Sequence, residues 1–227
     1  MAFIKKLEGK REENENIKLD NLYSGRISKK LDETAYKENL SNLKRYDDKE
    51  TQVGGVDMTF TMDGNDYRCD EKAAITWRDL NTYAFEVTIV NKANTVQEGW
   101  LVNDKMNNDS YALIWLDRNE RKTEKVKYAD VPFDKIAVAI VKKKKLLDYL
   151  ASINWTKEHL VRKANKIRFY GDKNYGNLFS DKCKFYFSTD LPEKPVNVLL
   201  PRKKVEELAD KVFSFDSEGM LLKYMED

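Results

Sequence analysis

Residues 55–73 have the sequence GVDMTFTMDGNDYRCDEKA, and this stretch decides the predicted fold. Val56, Met58, Phe60 and Met62 alternate with polar residues, in the two-residue period of a half-buried strand. Asp63-Gly64-Asn65 predicts a turn, and residues 67–73 would return antiparallel to the first strand. We therefore expect a β-hairpin over residues 56–73.

The parity of the hairpin places three charged side chains on one face. A strand directs residues i and i+2 to the same side, so Asp70 and Lys72 point together. If Asp63 faces Asp66 across the turn, Asp57 faces Lys72 directly and Asp70 diagonally. Two carboxylates and an ammonium group so placed could hold a hard cation such as Mg²⁺ or Mn²⁺, with the lysine contacting a phosphate or orienting a water.

Glu71 has the opposite parity and is expected on the other face, packed or solvated. A one-residue bulge at the turn would exchange Glu71 for Asp70 in the site. An exposed polar hairpin with an ordinary Asp–Lys cross-strand pair is the alternative interpretation of the motif.

Gly55-Val56-Asp57, followed after the hairpin by Asp70-Glu71-Lys72-Ala73, resembles the PD-(D/E)XK, or restriction-endonuclease-like, nuclease superfamily. The family core runs helix, hairpin, third strand, helix, fourth strand, and residues 27–116 could fit that order. The resemblance implies a Mg²⁺-dependent endonuclease with Asp57 and Asp70 as catalytic metal ligands and Lys72 aiding the attacking water. The sequence departs from the family in two places: no proline precedes Asp57, and no long helix is evident between Lys72 and Tyr83.

The remaining chain predicts an α/β protein, with α+β as the alternative: a central mixed sheet that begins with the hairpin and is flanked by helices. Apolar periodicity predicts helices and strands outside the hairpin. The predicted helices are residues 27–46, 142–153, 156–167 and 202–212, and the predicted strands are residues 83–90, 111–116, 133–141, 184–188 and 196–199. We expect a loose arm over residues 1–25 and one nuclease-like domain over residues 26–227 with a C-terminal helix-strand-helix extension.

Composition limits the chemistry. The 41 Lys and Arg nearly balance the 39 Asp and Glu, so the net charge of +2 does not by itself indicate a nucleic-acid partner. One histidine, His159, and two distant cysteines, Cys69 and Cys183, make a Cys/His zinc site or a disulfide framework unexpected. Because no secretory signal and no apolar stretch of about 20 residues is present, we expect a soluble cytoplasmic protein without membrane contact.

Three further acids could support the site. Glu33 shares a predicted helical stripe with Tyr36 and Leu40 and could reach the metal from the upstream helix, with Glu38 as a weaker alternative. Glu86 interrupts an apolar strand and needs a partner such as Lys72 or an ion. Exposed helix acids for the first two and a structural ion pair for Glu86 are the competing interpretations.

Basic residues in the second half predict phosphate contacts, with a solvated helix face as the alternative. The predicted nucleic-acid contacts are Lys143, Lys145, Arg162, Lys166 and Arg168. Trp155, Phe169 and Tyr170 lie near them and could stack on unpaired bases or belong to the core.

The leading hypothesis is thus a metal-dependent nuclease acting on DNA or RNA, with DNA favoured. One rival is a catalytically inactive protein of the same fold, such as a phage or mobile-element factor, that binds nucleic acid or a protein complex. Another is a structural interaction domain. The oligomeric state stays open, and a dimer is possible.

Overall fold

The structure, a computed structural model, describes residues 27–46, 54–75, 77–119, 122–125, 133–171, 183–216 and 221–224. The arm predicted over residues 1–25 lies outside this set. Within it, the helices are α1 (Lys29–Glu33), α2 (Ala35–Asn39), α3 (Lys143–Ser152), α4 (Lys157–Tyr170) and α5 (Arg202–Leu208). The strands are β1 (Ser41–Arg45), β2 (Met58–Met62), β3 (Asn65–Ala73), β4 (Trp77–Arg78), β5 (Thr82–Val90), β6 (Val96–Glu98), β7 (Ser110–Asp117), β8 (Glu124–Lys125), β9 (Lys135–Lys142), β10 (Lys184–Phe187), β11 (Val196–Pro201), β12 (Lys211–Asp216) and β13 (Leu221–Tyr224).

The described strands form a mixed seven-stranded sheet in the order β1-β2-β3-β7-β9-β12-β13. β1, β2 and β3 are a continuous antiparallel meander, and β7 then pairs parallel to β3. β9 and β12 continue the sheet antiparallel to their neighbours. A four-stranded sheet, β10-β11-β5-β6, and a short β4-β8 pair complete the β-structure of these residues, so the fold is mixed α/β as expected.

The helix expected over residues 27–46 is shorter than predicted. α2 ends at Asn39 because Leu40 takes an extended conformation with φ −118° and ψ 138°, and residues 41–45 then pair with β2 as β1. Leu40 and Leu43 therefore continue the helical spacing of Tyr36 by coincidence. The chain turns into a strand where β2 offers a hydrogen-bonding edge.

The second half contributes to both large sheets and is more than a helix-strand-helix extension. The helix expected over residues 202–212 stops at Leu208, and β12 follows as a strand paired with β9. β11 pairs with β5, which lies in the crossover between β3 and β7. That crossover contains no helix among its described residues, and the sequence indicated no long helix for its first part, between Lys72 and Tyr83.

Each face of the seven-stranded sheet buries a separate apolar layer. On one face, Tyr111, Leu113 and Trp115 of β7 pack beneath the four-stranded sheet and helices α3, α4 and α5. On the other face, Ala112 and Ile114 pack in the layer that contains the residues of α1 and α2. In the described part of the chain, no helix has the length and apolar character needed to cross a membrane.

Candidate functional site

The hairpin turn sets which acids face each other. Met62 pairs with Asn65, so the turn has two central residues, Asp63 and Gly64, with φ values of 49° and 78°. Both values are positive, as a type I′ turn requires, and Asp-Gly suits that turn. The register therefore differs by two residues from the predicted one, in which Asp63 faced Asp66. Parity is unchanged by a shift of two, so the side chains keep their faces.

As a result, Asp57 lies alongside Asp70 and not directly opposite Lys72. The Asp57 backbone N–H donates to the Cys69 carbonyl at 2.9 Å, and the Asp57 carboxylate accepts from the Glu71 N–H at 2.8 Å. These two contacts hold Asp57 between the levels of Cys69 and Glu71, beside Asp70.

Asp70 is buried at 2% exposure, and its two carboxylate oxygens differ. Oδ1 accepts a hydrogen bond from Lys72 Nζ at 2.6 Å, whereas Oδ2 is buried with no hydrogen-bond partner. Burial raises the pKa of Asp70 to about 7; the charge of Lys72 opposes that rise, and the neighbouring Asp57 carboxylate adds to it. Two carboxylates therefore meet in a poorly solvated place where a proton or a cation would relieve their repulsion.

Lys72 connects this pair to a third acid. Burial acts to lower the pKa of Lys72, but Asp70, Asp57 and Glu86 outweigh it and raise that pKa. Burial raises the pKa of Glu86, and Lys72 opposes the rise. The structure thus brings Asp57, Asp70, Lys72 and Glu86 together. Glu86 is associated with the lysine and not directly with Asp70.

Gly99 allows the backbone to approach Glu86 closely. A Cβ atom at Gly99 would lie 2.6 Å from the carbonyl carbon of Glu86, a distance that real Cβ atoms do not tolerate. The Gly99 N–H donates to the Val87 carbonyl at 2.8 Å, so this segment lies against β5. Glycine is therefore needed here for close packing.

Glu71 occupies the opposite face of β3 and is fully paired. It accepts from the Tyr36 hydroxyl at 2.7 Å and from Arg45 Nη1 at 2.9 Å. Arg45 also binds Asp32, through Nε at 2.7 Å and Nη2 at 2.8 Å. We call Asp32, Tyr36, Arg45 and Glu71 the arginine cluster. It joins the N-terminal helices to the sheet, and the alternative in which Glu71 replaces Asp70 in the site is not what the structure adopts.

Glu33 is not part of the site, contrary to the prediction. Its side chain is 64% exposed and lies 3.7 Å from Lys29 on the same short helix. Glu38 is also exposed. Both belong to the helices that cover the Glu71 face, because Tyr36 and Leu31 bury their side chains in the apolar layer of that face. The sheet separates these acids from Asp70.

The predicted basic contacts fall into different places. Lys143 Nζ donates to the Asn103 carbonyl at 2.9 Å. Burial lowers the pKa of Lys143, and the negative charge of Asp70 is one of those that oppose this lowering. Lys143 is thus on the Asp70 side. Lys145, two residues later, forms an ion pair with Asp210 at 2.7 Å.

Further along, Arg162 and Lys166 line a shallow groove on α4 together with Phe169 and Tyr170. Arg168, predicted as a phosphate contact, turns inward instead. Its Nη2 donates to the backbone carbonyl and the hydroxyl of Thr88, both at 3.1 Å, whereas its Nε and Nη1 are buried without a hydrogen-bond partner. Arg168 therefore anchors α4 to β5. Trp155 likewise packs on Phe185, with ring centroids 5.0 Å apart, at the edge of the apolar layer of this face.

A groove of about 510 Å³ opens beside Lys72, and the sequence interpretation missed it. Lys72 and Glu86 line it together with aromatic residues of distant segments: Trp77, Trp100 and Tyr186. Asn197, a polar residue inside the apolar strand Val196–Pro201, also faces it. That interruption of an apolar run was the one signal in the sequence that could have pointed to this groove.

Within the described ranges, no group of three or more His, Cys, Asp or Glu side chains is arranged to hold a metal ion. The site offers two carboxylates, Asp57 and Asp70. Comparison of the chain with protein-family models, curated proteins and solved structures gave no significant match.

Proposed function

We propose that this chain hydrolyses phosphodiester bonds in nucleic acid, using a Mg²⁺ or Mn²⁺ ion held by Asp57 and Asp70. The observation that carries the proposal is the buried Asp70 Oδ2, which has no hydrogen-bond partner and lies beside a second carboxylate. Buried polar atoms are ordinarily paired, so an unpaired carboxylate oxygen next to another acid fits a cation ligand.

Two carboxylates suffice for this ion. Mg²⁺ keeps several waters and is commonly bound by one or two carboxylates together with substrate phosphates. The described residues include no third acid arranged with Asp57 and Asp70 to hold the ion, and this is compatible with an ion that is completed by its substrate. When bound, such an ion supplies a more acidic water and neutralises charge on the phosphate.

The chain's own residues have distinct roles in this proposal. Asp70 orients Lys72 through the 2.6 Å hydrogen bond, and the Lys72 side chain keeps 37% exposure, so its ammonium can contact a phosphate oxygen or the attacking water. Lys143, on the same side, can hold a flanking phosphate. Asp70, with smaller contributions from Asp57 and Glu86, raises the pKa of Lys72 against the effect of burial and so favours the charged ammonium.

The order of elements also supports the resemblance to the PD-(D/E)XK superfamily. Short helices precede an antiparallel three-stranded meander, and the next strand of the central sheet, β7, runs parallel to the strand that carries Asp70 and Lys72. The difference is the crossover, where β5 and β6 stand in place of a helix. Cys69 and Cys183 are free thiols, which fits action in the reducing cytoplasm that we propose.

The second candidate is a nuclease-fold protein that binds DNA, RNA or a protein complex without cleaving. The Lys72–Asp70 ion pair favours it, because the ammonium already neutralises one carboxylate without any metal. DNA is the nucleic acid we favour for either function.

Cleavage assays separate the two candidates. Purified protein is incubated with plasmid, single-stranded DNA and RNA, in Mg²⁺, in Mn²⁺ and in chelator. We expect metal-dependent cleavage that Asp57→Asn and Asp70→Asn each abolish. Asp66→Asn is the matched control, since Asp66 lies on the same strand with the same parity but is exposed and bonded to Thr61 at 2.8 Å.

Lys72→Ala tests the division of roles within the site. It should lower cleavage by about 100-fold while leaving metal affinity, measured by calorimetry, within a few-fold of the parent. Lys144→Ala, at an 82% exposed lysine, is its control. Absence of metal-dependent cleavage on all substrates, or equal activity of Asp70→Asn and the parent, would refute the nuclease proposal and leave the binding function.

A further inference from the structure

One row of side chains crosses the outer face of the four-stranded sheet. In the register of β10, β11 and β5, Tyr186 pairs with Asn197 and Asn197 pairs with Glu86. Directly paired residues place their side chains on the same face, about 5 Å apart at Cβ. A phenol, an amide and a carboxylate thus stand side by side, and the charge of the last acts on Lys72.

This row lies in the groove of about 510 Å³ beside Lys72. Ala84, on the neighbouring row, is small and exposed and also lines the groove, so it leaves space there. Trp77 and Trp100 line the same groove. Trp100 is held in place by Tyr111 and Phe85, whose ring centroids lie 4.8 Å and 5.5 Å from its own.

The Asn197 amide has no hydrogen bond within the described residues, although Asn197 is only 6% exposed. A nearly buried amide ordinarily bonds to a neighbour, so its exposed edge in the groove is suited to a ligand. An amide presents one acceptor and two donors, the complement of a nucleobase edge. Aromatic rings at the groove supply faces on which a base can stack.

We propose that this groove binds one unpaired nucleobase next to the phosphate held at Lys72, so that the substrate is single-stranded or locally unpaired nucleic acid. The inference rests on the proposed nuclease function for the position of the phosphate. A paired base could not enter, because its edge is occupied by its partner and its faces by the stack. Tyr186, 43% exposed, stacks on the base, and Asn197 bonds to its edge.

The test measures binding without cleavage. Fluorescence anisotropy in chelator compares oligothymidine of about 12 nucleotides with an abasic strand of equal length and with a blunt duplex. We expect the base-bearing strand to bind about tenfold more tightly than the abasic strand. Oligouridine is included to distinguish RNA from DNA as the source of the base.

Tyr186→Ala and Asn197→Ala should each remove most of this difference. Val96→Ala, at a 44% exposed side chain of β6 that does not line the groove, should leave it unchanged. If Asn197→Ala fails to fold by circular dichroism, the exposed Tyr186 decides the result. Equal affinity for the abasic and base-bearing strands, tighter duplex binding, or an unchanged difference in Tyr186→Ala would overturn the proposal.

The failure of each proposal is distinguishable. A base preference that depends on Tyr186, without cleavage in any metal, would refute the nuclease and keep the groove. Cleavage that depends on Asp70, without any base preference, would refute the groove and keep the nuclease.

Discussion

Asp70 and Glu71 are adjacent residues of one strand, buried on opposite faces of the sheet, and they differ in how many of their carboxylate oxygens have hydrogen-bond partners. Glu71 bonds to Tyr36 and Arg45, and Arg45 in turn to Asp32. Asp70 bonds to Lys72 through one oxygen only, leaves the other without a partner, and stands next to Asp57. A buried charge with a complete set of partners is stabilised in place, whereas an incomplete set costs stability. Beside a second carboxylate, the incomplete set of Asp70 also suits the proposed cation. Burial alone does not distinguish the two roles.

The largest effect on stability should follow from removing Glu71, whose set of partners is complete. Glu71→Ala removes the buried carboxylate that accepts from Arg45 and from the Tyr36 hydroxyl. We expect the free energy of unfolding to fall by about 3–5 kcal/mol, measured by urea denaturation at pH 7. A loss below about 1 kcal/mol would mean that the arginine cluster is not structural.

Asp70 has an incomplete set of partners, so replacing it should raise the free energy of unfolding. The size of this gain should depend on pH. The pKa of Asp70 is raised from 3.8 to about 7, so the folded protein binds a proton more tightly than the unfolded chain. The stabilisation this gives is fully present below pH 4 and is lost as the pH rises to 7. Asp70→Asn cannot lose it, so its stability relative to the parent should increase over this range, by up to about 4 kcal/mol.

Urea denaturation at several pH values, without metal, measures this difference. A flat difference between pH 4 and pH 8 would contradict the raised pKa of Asp70. Added Mg²⁺ should stabilise the parent more at pH 8 than at pH 5, because the proton and the ion compete for the same carboxylate.

The smallest effect compares two lysines on one helix. Lys143→Glu should weaken nucleic-acid binding by about tenfold and reduce the salt slope by about one phosphate contact, since Lys143 lies on the Asp70 side. Lys145→Glu should change affinity less, because Lys145 is paired with Asp210. Titrations of labelled single-stranded DNA at several salt concentrations measure both, and equal losses would remove the distinction between them.

The sequence predicted the local part of this site and missed the distant part. Alternation over residues 56–62 gives the strand, and parity alone places Asp70 and Lys72 together. The predicted register was wrong by two residues because both Asp63-Gly64 and Gly64-Asn65 can form a two-residue turn. The structure uses Asp63-Gly64, since Asp-Gly is a favoured pair for a type I′ turn. Periodicity does not distinguish these turns.

Partners from distant segments explain the remaining misses. Glu33 has the right spacing on a helix, but packing of Tyr36 carries that helix to the wrong face of the sheet. Arg168 is indistinguishable in sequence from Arg162, and only its contact with Thr88 makes it structural. The groove needs β10, β11 and β5 in register, which no local pattern encodes.

The pairing of β11 with β5 also has a consequence for folding. The acidic hairpin closes through a two-residue turn, so it is a local contact that can form early. The row of Glu86 and Asn197 joins parts of the chain that are far apart in sequence, and closing such a loop is slow. During synthesis the carboxylate pair can therefore exist before the groove does. The proposed nucleobase site is completed only when β11 has been made and has joined β5, so the nascent chain holds its acids before it has the groove that we propose selects a substrate.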